Sequence, residues 1–66
     1  MAVLKVIELM AASTESWEDA TKKAVAKASE TLSNMRSAWV QDQSATIRDG
    51  KVAEFRVTLK VTFEVR

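Results

Sequence analysis

The end of this chain constrains its fold more than any other part. Phe55, Val57, Leu59, Val61, Phe63 and Val65 alternate without a break against Glu54, Arg56, Thr58, Lys60, Thr62 and Glu64. A period of two sends successive side chains to opposite faces, so residues 52–65 predict a long strand with one buried face and one polar face. Asp49 and Gly50 precede it. That dipeptide suits a two-residue hairpin turn, in which both central residues need positive φ. Residues 38–48 then form the partner strand. A strand of about 14 residues extends roughly 46 Å at about 3.3 Å per residue, against about 30 Å for a 20-residue helix, so its end must overhang.

An overhanging apolar face is awkward for a chain of this size. The 66 residues make one domain, 1–66, and such a domain hides only about 60% of the surface its unfolded form exposes. Disulfides, a structural metal or partner subunits usually compensate. The chain has no Cys, no His and no Pro, which leaves partner subunits, in the first instance copies of itself.

The same absences remove zinc sites, thiol chemistry and imidazole acid/base catalysis. There is no Gly-rich phosphate loop and no nucleophile beside a base, and Asp42 and Glu54 have no partner at acid/base spacing. A non-enzymatic protein is expected. Ten basic and nine acidic residues give a net charge of +1 and are interspersed, which gives a nucleic-acid partner little electrostatic support. The apolar-rich start, residues 1–10, is interrupted by Lys5 and Glu8. It is too short for a membrane span or a signal peptide, and a cytoplasmic location is expected.

Val3 to Met10 is a β-rich run charged only at Lys5 and Glu8, which predicts strand one with both faces largely covered. Residues 11–15 connect it to a helix. Ser16, three residues before Asp19, marks the helix start by a capping arrangement. Trp17, Ala20, Thr21, Ala24, Val25, Ala28, Leu32 and Met35 then follow the spacing of one buried helix face until the pattern stops near Asn34. Glu18 with Lys22 and Asp19 with Lys23 are i, i+4 pairs in the favourable order. Strand one leads through the helix to strand two, so these two are expected to be parallel, with strand three between them and antiparallel to both. The predicted fold class is α+β: a β-α-β-β protomer whose three-stranded antiparallel-type sheet has strand order 1-3-2 and one helix on one face. Phe55, Val57, Leu59, Val61 and Phe63 should meet that helix.

If Asp49 and Gly50 are the turn, Arg48 faces Lys51 and the register follows. Val40 pairs with Leu59 on the helix side, while Trp39 pairs with Lys60, Gln41 with Thr58 and Gln43 with Arg56 on the other side. Trp39 is thereby predicted on the polar face. An exposed indole forgoes much of the 150–250 Å² an aromatic side chain typically buries, so something should cover it, either a subunit contact or a planar ligand. Trp17, on the apolar side of the first helical turn, reads as a cover for the end of the core or a subunit seam. The three Met residues read as core or chain start. Glu15, Glu18 and Asp19 read as a helix-start charge preference, with a hard cation such as calcium as the alternative.

The opening strand KVIEL, the helix start STESWEDA, the segment AWVQDQSATI and the ending EFRVTLKVTFEV, in this order and spacing, resemble the dodecins over nearly the whole chain. The resemblance implies twelve β-α-β-β subunits in a hollow shell, with riboflavin or its nucleotides, such as FMN, stacked in pairs at subunit interfaces in many members. In those members a Trp at the start of strand two stacks on the flavin ring and a Gln in strand three hydrogen-bonds its polar edge. Trp39 matches the first position and Arg56 stands at the second. Arg donates but does not accept, unlike an amide. The implied flavin site is Trp39 on the ring, Arg56 on a carbonyl or phosphate edge, and Gln41 or Gln43 completing the polar rim. The S-W-E helix start and Arg56 also resemble the calcium dodecin branch, which implies calcium or a purely structural shell as the alternative, without assigning ligands.

Overall fold

The computed structural model describes residues 2–65; Met1, read above as chain start, and Arg66 lie outside them. Four elements follow in order: β1 (Val3–Ser13), α1 (Trp17–Ala28), β2 (Met35–Arg48) and β3 (Lys51–Val65). β3 is the middle strand of a sheet ordered β1-β3-β2 and runs antiparallel to both neighbours. The outer strands are therefore parallel, and the helix crosses one face, as the alternation and hairpin predict. Asp49 and Gly50 have φ of 53° and 75°, and Arg48 pairs with Lys51. That is the expected two-residue turn.

Ser16 caps the helix with an extended backbone, its hydroxyl accepting from the Asp19 amide at 2.9 Å. The helix ends earlier than its apolar spacing predicts. Regular structure stops at Ala28, the Leu32 amide still reaches the Ala28 carbonyl at 2.9 Å, and Asn34 at φ 62° turns the chain into β2. Met35, in phase with the helical stripe, instead opens a strand and packs on the core from the sheet. β1 continues through Ser13, which shortens the connection to residues 14–16.

The core is thin. Ala20 and Ala24 meet Val57, Leu59 and Val61, with Ile7, Leu9, Ala11, Met35 and Val40 packed around them. Alanines let the helix lie close to the sheet but bury little area per turn. Trp17 closes one end: its ring meets Phe55 edge-on at 4.9 Å, and its indole N–H donates to the Ser44 carbonyl at 2.8 Å. A structural role for Trp17 is what its sequence position suggests.

Within one chain, β1 is covered on one face only, which corrects the two-sided burial expected for it. Leu4, Val6 and Met10 pair with Glu64, Thr62 and Thr58 on the face away from the helix, and are 54%, 55% and 70% exposed. The hairpin overhangs as its length requires, leaving Ile47 and Val52 exposed near its tip. The radius of gyration is 13.6 Å, against about 11 Å for a compact domain of this length. The accessible surface is 4871 Å², against about 4,200 Å² for a folded monomer of this mass. Among the described residues, no helix is long and apolar enough to cross a membrane.

Candidate functional site on the open sheet face

The face that α1 leaves uncovered carries the candidate site. Its rungs run across all three strands: Glu8, Lys60 and Trp39 form one, Met10, Thr58 and Asp42 the next, and Ala12, Arg56 and Ser44 the third. Trp39 lies on this face, as predicted, and is 65% exposed. The Lys60 ammonium sits 5.8 Å from the centre of its ring, a cation–π arrangement. Arg56 shares the face two rungs away, its guanidinium 3.4 Å from the Glu54 carboxylate.

The other two predicted rim residues fall elsewhere because the ladder is irregular. Register shifts lie between Thr46 and Ile47 and between Val40 and Asp42. At the first, Ala53 is the extra residue of β3; at the second, Gln41 is the extra residue of β2. Gln41 is therefore part of a bulge instead of pairing with Thr58, whose partner is Asp42. Gln43 pairs with Val57, on the core side, while Ser44 takes the expected place opposite Arg56. Between the turn and Trp39 each strand gains one residue, so these two shifts cancel and the Trp39–Lys60 and Val40–Leu59 pairs come out as predicted. Nothing in the run Gln41-Asp42-Gln43-Ser44 could have signalled the slip, since a polar stretch has no apolar alternation to fix its face.

The helix-start carboxylates are engaged locally. Asp19 accepts from the buried Ser13 hydroxyl at 2.5 Å and meets the Lys23 ammonium at 3.0 Å. Ser13 in turn accepts from the Glu15 amide at 3.0 Å. The Ser13 hydrogen bond, and after it Lys23, hold the Asp19 carboxyl below its ordinary value, and Asp19 raises Lys23 above its own. Glu18 pairs with Lys22 at 3.1 Å. Among the described residues, no group of three or more His, Cys, Asp or Glu side chains stands together to hold an ion. A concavity of about 390 Å³ between α1 and β1 is walled by Leu9, Ala11, Ala24 and Ala28. Its rim lysines, Lys23 and Lys27, are paired with Asp19 and Glu30, and Trp39 does not line it. The indole face has the exposed ring and the charges, and that chemistry outweighs the size of a shallow groove.

A β-α-β-β chain with an alanine-faced helix and an uncovered sheet face is matched by known proteins along its whole length. The dodecin family profile fits residues 3–66, and the chain belongs to the dodecin family. It is 33% identical over 66 residues to the calcium dodecin of Mycobacterium tuberculosis, covering all of this chain and 93% of that one. Its backbone superposes on the dodecin of Streptomyces coelicolor with a TM-score of 0.95 at 31% identity, covering 98% and 93% of the two chains. The M. tuberculosis calcium dodecin, whose structure is described as having a novel calcium-binding site, gives 0.85 at 35% identity over 97% and 91%. Sequence likeness and backbone likeness thus rank these two relatives in opposite order.

Proposed function

We propose that this chain assembles with copies of itself, as a dodecin-type shell of twelve, and holds a flavin such as riboflavin or FMN between subunits without transforming it. The observation that carries the reading is Trp39, a 65% exposed indole on a face that also exposes Leu4, Val6 and Met10. A flat ring stacked on the indole would cover it and supply the burial the single chain forgoes. Arg56 would donate to a carbonyl edge of the ring, and the bulged Gln41 remains a rim candidate; Gln43, paired with a core residue, is set aside.

Fluorescence titration of riboflavin into the purified protein tests this, with the mass in solution measured alongside. Quenching at micromolar flavin, weakened about tenfold or more by Trp39→Ala with the assembly mass unchanged, is the expected result. A protein that leaves flavin fluorescence untouched has no such site.

A second reading, a shell that binds calcium, draws on the likeness to the M. tuberculosis relative. Since the described residues of one chain gather no group of three carboxylates, this reading puts the ion where subunits meet. Melting raised by calcium but not by flavin, with Trp39→Ala disturbing the assembly itself, would select it.

A further inference from the structure

Among the described residues, Lys60 is the cation that lies over the indole, and the flavin reading gives it no role. It stands opposite Trp39 on β2 and opposite Glu8 on β1, yet forms no ion pair among the described residues; its recorded contact is the ring, 5.8 Å from ammonium to centroid. A flat ligand that stacks on this face of Trp39 has to displace that ammonium. A neutral ligand then forfeits the cation–π contact and offers the freed charge nothing in return. A ligand with an anionic arm offers a charge-assisted hydrogen bond in its place.

We infer that Lys60 is a specificity residue which masks Trp39 against neutral planar ligands and selects planar ligands carrying an anionic group, such as a phosphate. The inference rests on the flavin reading and names the class of ligand within it. The neighbouring charges agree with this assignment. Arg56, two rungs away on the same strand, is paired with Glu54, which leaves Lys60 as the cation beside the ring.

Riboflavin and FMN share one ring and differ by a phosphate, so their affinities for the native protein and for Lys60→Thr isolate the effect. Threonine is chosen because Thr58 and Thr62 already occupy the adjoining same-face positions of β3, so the sheet accommodates it. The native protein should favour FMN about threefold or more, with the preference shrinking in high salt. In Lys60→Thr the two affinities should converge, chiefly because riboflavin binds about two- to fivefold tighter once the ring is unmasked. Equal preference in native and variant protein, with both flavins bound, overturns the role of Lys60 and leaves the flavin site standing. Binding of neither flavin to either protein overturns both.

Discussion

The two faces of the sheet share the same central strand and differ in what finishes them. On one, Val57, Leu59 and Val61 are sealed by Ala20 and Ala24 and are at most 1% exposed. On the other, Arg56, Thr58, Lys60 and Thr62 lie between the strands that carry Leu4, Val6 and Met10 on one side and Trp39 on the other, and these last four are each more than half exposed. The first face is complete within one chain. The second sets a polar central strand between apolar side chains on the two outer strands, which a single chain leaves uncovered. On the proposed reading, folding and assembly are divided between the two sides of a single strand.

The largest test of that division is Leu59→Ala. Leu59 is fully buried at the centre of the sealed face, and its truncation should cost about 2–5 kcal/mol by lost burial and residual cavity. A core this thin has few neighbours that can collapse into the gap. Denaturant unfolding should show the loss at every protein concentration. A cost below about 1 kcal/mol would mean that this face is not what holds the protomer together.

How far this contrast can be read from the sequence depends on the strand. β3 is legible because its alternation fixes both faces, and the hairpin because Asp49 and Gly50 suit positive φ. The capped start of α1 is legible through Ser16 and Asp19. The helix end was not, since Leu32 and Met35 continue the apolar spacing by coincidence while Asn34 reverses the chain. The face of Trp39 was readable and the positions of Gln41 and Gln43 were not, for one reason: bulges are invisible in polar sequence, and only their cancellation restored the count at Trp39. Ser13 was hidden too. It looks like part of a connection, yet it ends β1 and is buried against Asp19.

Val6→Thr sharpens the comparison from the open side. The change conserves shape and adds a hydroxyl, beside Thr62 on the neighbouring strand. If copies close over this face, burying that hydroxyl should cost about 1–2 kcal/mol per subunit in the assembled protein. In a dissociated chain, where Val6 is 55% exposed, the same change should fall within about 0.5 kcal/mol. Unfolding midpoints at high and low protein concentration separate the two. An effect that ignores concentration would place Val6 outside any subunit contact.

The smallest effect belongs to the tie between the end of β1 and the start of α1, where the sealed face is anchored. Asp19 is held below the ordinary carboxylate value of 3.8 by Ser13 first and Lys23 second. Because the folded value is the depressed one, the stabilisation is present in full above the unfolded value and is lost as the pH falls through the folded one. Asp19→Asn should therefore unfold more easily than the native protein at neutral pH, and the gap should close below pH 3.8. Lys23 bounds the other end. Its value is raised above 10.5 by Asp19, so its share persists below 10.5 and disappears as the pH rises through the folded value. Thermal melts of the two proteins from acid to alkaline pH should trace a plateau of difference with two falling edges. A constant gap across that range would mean that Asp19 holds β1 to the helix by shape and hydrogen bonding alone, without its charge.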